Sequence, residues 1–579
     1  MSVSACAWAS GRNNRMRLAG EPVTASKGER MKFVERTVSR IPRAGRAVLF
    51  VIASLVAASP AHAGGAADRA APRVAVTGGT IEGQPLVGGV IAYLGVPYAA
   101  PPVRDLRWRA PQPVAPWHGV LHADRVAPQC VQPQRNVLSN HYSGPEVTSE
   151  DCLYLNIWSK PGLKKAPVIV YIHGGAFFIG SGGAALYAGD RLAERDAVVV
   201  TINYRLGPLG FLSHPELTRE SPDKASGNYG FLDQIAALRW VRDNISRFGG
   251  DAHNVTIAGQ SAGSMSVLAL QSSPLAKGLF HRAVGMSGAL IGSAGPMAMR
   301  PLARAEQDGV RLQEIWNAKS LAEMRAMPAD RLVAPRAPGS PPVGPIVDGF
   351  VLPMPIDETF RRAQQNDVPL LLGFTQDEAL GGLGKIDGLA SYRSRATALF
   401  GARAAAFLDL YPARSDAEAQ AQARIADRDA TMVAAMDAWA RAQVATGTAP
   451  VYSYLFARPH SYVDGVTITD LDPATAGAYH TSEVPFWLDT LDSFNRYRPT
   501  RAWTAADRDF AAAMADALVA FARSGAPNTR RLNWVKFDPE HPQLLTLGNH
   551  VGLGGWPDQR RLDFFRGTSA QTPTPSARD

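Results

Sequence analysis

Runs of apolar, largely β-branched residues recur along this 579-residue chain, separated by stretches whose apolar positions fall at helical spacing. Residues 167–173 (PVIVYIH), 197–203 (AVVVTIN), 255–259, 368–374 (VPLLLGF) and 451–456 (VYSYLF) hold too few polar positions to leave a face in water. Each therefore predicts a strand buried on both sides. Residues 229–245 (YGFLDQIAALRWVRDNI) and 505–523 carry apolar residues at the 3–4 spacing of a helix with one buried stripe. Buried strands alternating with helices predict an α/β fold, a mostly parallel central sheet covered by helices on both faces. Residues 296–343 and 386–447 interrupt the alternation with Ala/Arg-rich helical stretches and a Pro-rich loop. They are expected as insertions over the C-terminal edge of the sheet, not as separate domains. No linker or internal repeat divides the chain, so residues 64–566 are read as one domain.

The first 63 residues read differently. Residues 47–58 form an apolar run with one serine, preceded by Arg36, Arg40, Arg43 and Arg46 and followed by Ser59-Pro60-Ala61-His62-Ala63. A basic region, a short apolar core and an Ala-x-Ala end predict a secretory signal peptide cleaved after Ala63. The run is short for a bilayer-spanning helix. Met31-Lys32-Phe33 would open a leader of ordinary length, so the residues before it are read as an over-extended start. The mature protein is then expected to be secreted or periplasmic, with no integral membrane segment. Residues 567–579, rich in Thr, Ser and Pro, are expected as a flexible tail.

The leader changes the meaning of the charge. It holds ten Lys/Arg against three Asp/Glu, so +7 of the whole-chain +9 lies within it. A mature chain near +2 gives no reason to expect nucleic acid as a partner. The cysteines are Cys6, in the leader, and Cys130 and Cys152. Two remaining in an exported chain predict one disulfide.

The chemistry centres on Gly259-Gln260-Ser261-Ala262-Gly263, which follows an apolar β-branched run. Gly-x-Ser-x-Gly between a strand and a helix is the layout of a nucleophile elbow, with Ser261 on the turn and a helix N-terminus behind it. A serine hydroxyl is a weak nucleophile at neutral pH and needs a base, an acid to orient that base, and donors for the oxyanion. His173-Gly174-Gly175 follows a strand and offers the backbone N–H groups of Gly174 and Gly175, which with Ala262 N–H would make the oxyanion hole. Among the histidines after Ser261, His480 is best placed, with small residues before it and Val484-Pro485-Phe486-Trp487 after it. The acid falls on Asp377-Glu378, where an apolar strand ends in adjacent carboxylates; the residues themselves do not choose between them.

Motifs spread in order along nearly the whole mature chain extend this reading. They include Gly95-Val96-Pro97-Tyr98-Ala99, Leu106-Arg107-Trp108, Ser149-Glu150-Asp151-Cys152-Leu153-Tyr154-Leu155-Asn156, Asn203-Tyr204-Arg205-Leu206-Gly207-Pro208-Leu209-Gly210-Phe211, Phe248-Gly249-Gly250-Asp251, Ser287-Gly288 and Val347-Asp348-Gly349. In this the chain resembles the type-B carboxylesterases, the esterase and lipase family that includes cholinesterases and bacterial p-nitrobenzyl esterases. The resemblance implies an α/β-hydrolase fold and an ester-cleaving serine hydrolase with no metal and no organic cofactor. It implies Ser261 as nucleophile, Glu378 rather than Asp377 as acid, His480 as base, and Cys130–Cys152 as the family's first disulfide. It also suggests that the Ser287 hydroxyl supports the acid, with a helix-capping role as the alternative.

Two departures bear on the substrate. Gln260 stands where many relatives have glutamate, and residues 131–151 contain no tryptophan. Both argue against quaternary ammonium substrates, which need negative charge and an aromatic platform. Leu380-Gly381-Gly382 after the acid also differs from the usual pattern. Phe177, Phe178, Tyr142 and Trp487 are candidates for an apolar substrate pocket, with packing as the alternative. The other functional readings are a catalytically silent adhesion protein on the same fold, and an amidase or a specialised toxin- or polymer-ester hydrolase.

Overall fold

The computed structural model describes residues 71–566, apart from 143, 145, 146, 293–298, 336, 379 and 381. The expected leader and tail lie outside the described residues. The buried apolar runs form the centre of one large sheet. Val198–Ile202, Ala166–Ile172, Gly250–Gln260, Arg282–Met286, Leu370–Thr375, Val451–Ala457 and Gln543–Gly548 lie side by side in that order, all parallel. Antiparallel strands extend it at both ends. Arg73–Val76, Gly79–Pro85, Ile91–Pro97 and Tyr154–Ser159 lie at one side, and Val551–Gly555 at the other.

Side-chain alternation along the strands sends residues into two cores. Val168, Val170 and Ile172 enter one cluster while Ile169 and Tyr171 enter the other; Ile257 and Ala258 divide in the same way. Helices Tyr229–Asn244, Ala262–Ser272 and Ala434–Thr446 close the first core, and Ala505–Ser524 with Val484–Trp487 closes the second. Thr504 and Asp507 form a reciprocal cap at the start of Ala505–Ser524, and Gly525 ends it in the left-handed conformation. This is the mostly parallel sheet, covered by helices on both faces, that the alternation of buried strands and helices predicts.

The interrupting stretches are helical. Leu302–Ile315, Leu321–Ala326 and Ala329–Val333 pack around Leu312, Trp316 and Met324 together with Trp108 from the body. Leu389–Phe400, Ala404–Leu410 and Asp416–Arg428 enclose a cluster of Tyr392, Phe407 and Tyr411. Cys130 and Cys152 are joined by a disulfide and are buried. Closing that loop contributes about 3 kcal/mol by the chain-entropy argument. Among the described residues no helix is long and apolar enough to cross a membrane.

Candidate active site

Parallel strands all end on the same edge of a sheet, and that edge gathers the chemistry. The strand Gly250–Gln260 stops at Ser261, whose backbone takes φ 58° and ψ −124° before the helix Ala262–Ser272 begins. A non-glycine residue there carries about 1–3 kcal/mol of strain, so its surroundings must hold it. Ser261 N–H donates to Met286 O at 2.8 Å, and Ser261 O accepts Met265 N–H at 2.9 Å. Gly263 permits the tight packing, since a Cβ there would lie 2.0 Å from Ile172 O.

The neighbouring strand, Ala166–Ile172, leads into His173-Gly174-Gly175. The backbone of Gly174 lies against the elbow: a Cβ on it would meet Gln260 O at 2.6 Å and the Cβ of Ser261 at 3.2 Å. Gly175 takes φ 109° and accepts the N–H groups of Phe178 and Ile179 at 2.9 and 3.0 Å, closing the loop. His173 is part of this scaffold. Its ring stacks on Tyr204 at 4.4 Å, and burial pushes its imidazole down to about 4, so it is neutral.

Asp377 and Glu378 follow the strand Leu370–Thr375, and the structure separates their work. Glu378, fully buried, accepts Thr375 N–H on Oε1 at 2.9 Å and His480 Nδ1–H on Oε2 at 2.5 Å. Asp377 turns toward the loop before the histidine and accepts Ala478 N–H at 2.8 Å. His480 thus meets Glu378 by side chain, while its loop is fastened by Asp377.

The electrostatics of the pair follow from burial and mutual charge. Burial alone would raise Glu378, but the His480 charge and hydrogen bonds from His480, Ser287 and Thr375 outweigh it and hold the carboxyl below its usual value. Burial likewise disfavours the His480 imidazolium, but the Glu378 carboxylate, with Glu483 beyond it, raises the imidazole above its ordinary range. With Nδ1 donating to Glu378, Nε2 is the acceptor nitrogen, and the Gln260 amide nitrogen lies 3.2 Å from it.

The remaining candidates divide. Phe177 is buried, edge-on to Phe211 and Phe231 at 5.1 and 5.9 Å, and Trp487 is buried against Tyr454 and Trp534. Both pack in the cores rather than facing open space. Phe178 and Tyr142 are half-exposed, and Tyr142 meets Tyr497 edge-on at 5.8 Å.

Three neighbours of His480 were not signalled by the sequence. His141 Nε2 accepts the Thr481 hydroxyl at 2.7 Å, and burial beside Arg135 and Arg501 pushes its imidazole down to about 3. Arg501, buried, donates to His460, Asn140 and the Tyr479 hydroxyl, bracing the loop that carries His480. Glu483 is buried behind Ser287. Only the three-dimensional path of the loop brings them together. Among the described residues no group of three or more His, Cys, Asp or Glu gathers as metal ligands would.

Comparison with known proteins gives a consistent picture. The family model described as Carboxylesterase family matches residues 70–565. The fumonisin B1 esterase of Sphingopyxis macrogoltabida is 36% identical over 488 residues, covering 82% of this chain and 86% of that protein. The para-nitrobenzyl esterase of Bacillus subtilis (strain 168) is 33% identical over 497 residues, 82% and 95% of the two chains. Carboxylesterase 3 of Homo sapiens is 32% identical over 546 residues, 88% and 92% of the two chains. A solved PNB esterase structure superposes with a TM-score of 0.71 at 31% identity, covering 86% of this chain and 99% of that one.

Proposed function

The chain belongs to the carboxylesterase family and is a hydrolase of carboxylic esters, and on that premise we propose that it works through Ser261, His480 and Glu378. The observation that carries the assignment is the 2.5 Å contact from His480 Nδ1 to Glu378 Oε2, on the sheet edge where Ser261 stands on its strained turn. Glu378 fixes the Nδ1–H tautomer and leaves Nε2 unprotonated, so that, in exchange for its contact with the Gln260 amide, it can take the Ser261 proton as Oγ attacks the carbonyl carbon. The negative charge passing to the carbonyl oxygen is held by the N–H groups of Gly174, Gly175 and Ala262, each contributing on the order of 3 kcal/mol. His480 then protonates the leaving alcohol, an acyl-Ser261 ester remains, and water releases the acid by the same steps in reverse.

The residues around this centre suggest uncharged or anionic esters over cationic ones, because Gln260 brings an amide rather than a carboxylate to the imidazole. Phe178 and Tyr142 are the candidates for contact with the substrate. Export as a secreted or periplasmic protein is supported by the pattern of residues 1–63 and by the Cys130–Cys152 disulfide, since disulfides persist in oxidising compartments. A p-nitrophenyl ester series from acetate to decanoate, assayed with the wild-type protein and Ser261→Ala, tests the assignment. Turnover retained by the variant rejects Ser261, and the preferred chain length sizes the acyl pocket.

The similarity to a fumonisin B1 esterase favours one narrower reading, in which the natural substrate is fumonisin B1 or an ester like it. Incubation with fumonisin B1, followed by chromatography with mass detection, tests it. Intact fumonisin beside active hydrolysis of p-nitrophenyl esters rejects that reading and leaves the general one.

A further inference from the structure

His141 lies on the loop closed by the Cys130–Cys152 disulfide and meets the residues on both sides of His480. Its Nε2 accepts the Thr481 hydroxyl at 2.7 Å, and its ring packs against Tyr479 with centroids 6.4 Å apart. Thr481 holds φ 82°, a left-handed backbone that a β-branched residue keeps only where its surroundings hold it. As a strut for that strained residue, His141 would need nothing but its acceptor nitrogen. The other ring nitrogen is left over.

Which nitrogen carries the proton follows from Arg501, by way of Asn140. A guanidinium only donates. Arg501 is held with Nε on His460 Nδ1 at 3.0 Å and its charge 4.3 and 4.6 Å from the ring centroids of Tyr462 and Phe494. Its Nη2 donates to Asn140 Oδ1, which fixes the orientation of that amide. Asn140 Nδ2 therefore donates to His141 Nε2, at 3.1 Å. With two donors on Nε2, the imidazole proton belongs on Nδ1. Burial, reinforced by Arg135 and Arg501, pushes the imidazole down to about 3, so this neutral form holds at neutral pH. Nδ1 finds no hydrogen-bond partner among the described residues, and it is not sealed in the interior, since His141 is half-exposed.

We propose that His141 is a specificity-determining residue whose Nδ1–H binds an uncharged oxygen in the alcohol portion of the ester. The inference rests on the assignment of Ser261, His480 and Glu378 above. His480 must protonate the departing alcohol oxygen, so the alcohol portion lies against the loop that carries Tyr479, His480 and Thr481, where His141 stands. The acyl portion lies toward the elbow and Gly174-Gly175. A neutral donor held in one direction suits an ether, hydroxyl or carbonyl oxygen a few bonds beyond the ester oxygen, and offers nothing to an alkyl group. The substrate class is therefore esters of oxygenated alcohols, glycol and polyol esters among them, in preference to esters of plain alkyl alcohols.

Two pairs of esters of nearly equal shape test this. Butyl acetate and 2-methoxyethyl acetate differ by one ether oxygen in the alcohol portion; ethyl pentanoate and ethyl 3-methoxypropanoate differ in the same way in the acyl portion. For each pair the ratio of kcat/KM, ether over alkyl, is corrected by the ratio of the hydroxide-catalysed rates. It is measured in wild type, His141→Phe and His141→Met, neither of which can donate. A ratio taken within one preparation does not depend on the fraction folded. The alcohol-side ratio should fall by about fivefold in both variants, and the acyl-side ratio should change by less than about twofold. A strut alone would slow both members of each pair together, so unchanged ratios overturn the proposal. A fall confined to the acyl-side ratio overturns it as well. Nitrogen-15 spectra of histidine-labelled wild type, with the His141 signals identified by their absence from either variant, should show Nδ1 protonated at neutral pH; a proton on Nε2 overturns the proposal whatever the variants do. Fluorophosphonate labelling of the wild type keeps two failures apart. Absence of label at Ser261 rejects the active-site assignment itself; label with unchanged ratios rejects only the role of His141.

Discussion

Gln260 and His480 meet side chain to side chain, the amide nitrogen 3.2 Å from Nε2, although 220 positions separate them in the chain. The contact sets the electrostatic environment of the imidazole nitrogen assigned as the base. Gln260→Glu would place a carboxylate there and favour the imidazolium. The acid limb of the kcat/KM profile should move to higher pH, and the ratio of cationic to neutral ester hydrolysis should rise by roughly tenfold. A profile and a substrate ratio both identical to wild type would show that this side chain does not tune the site.

Asp377 and Glu378 give the clearest pair of substitutions. Glu378→Gln removes the acceptor that fixes the histidine tautomer, and kcat should fall by about three to four orders of magnitude. Asp377→Asn weakens one hydrogen bond to the loop backbone at Ala478. Its expected loss is about tenfold or less, accompanied by a lower melting temperature. Reversal of that ranking would mean that Asp377 faces the imidazole.

Stability should carry a pH signature of the His480–Glu378 couple. His480 is raised above its usual 6.5, so its contribution is complete below that value and is lost as pH rises through the folded value. Glu378 is lowered from 4.5, so its contribution is present above 4.5 and is lost as pH falls through its folded value. The melting-temperature gap between wild type and His480→Gln should therefore be widest between about 4.5 and 6.5. A gap independent of pH, measured by scanning fluorimetry, would contradict the coupling.

Backbone strain at Ser261 predicts a trade of stability for activity. Glycine tolerates φ 58° and ψ −124° far better than alanine, so Ser261→Gly should exceed Ser261→Ala in stability by about 1 kcal/mol, with both inactive. Equal melting temperatures would locate the strain elsewhere.

How far the sequence was legible follows the range of the interactions. The strands Ala166–Ile172, Val198–Ile202 and Leu370–Thr375 were readable because burial on both faces demands apolar residues without a break. The antiparallel strands Arg73–Val76 and Gly79–Pro85, partly exposed and mixed in composition, gave no such signal. The elbow was readable because its glycines answer a local steric demand. Glu378 was not separable from Asp377 by local pattern, since what divides them is how Leu370–Thr375 ends against a loop one hundred residues later; the family resemblance supplied that choice. Phe177 and Trp487 show the converse. A large apolar residue near a motif packs a core or lines a pocket equally well in sequence, and here the rings around it decide. Glu483 was invisible for the same reason, because its meaning depends on Ser287, which reaches it across 196 positions.

The assembly of the proposed site from distant segments also bears on how the protein is made. Glu378 meets His480 across 102 positions and Gln260 meets it across 220, so the proposed centre cannot form until the strand after the acid and the loop beyond it have both emerged. Long-range closure of this kind comes late in folding. A nascent or truncated chain ending before His480 would carry the serine yet lack the proposed base, so the cell making it would be shielded from esterase activity until the fold is complete.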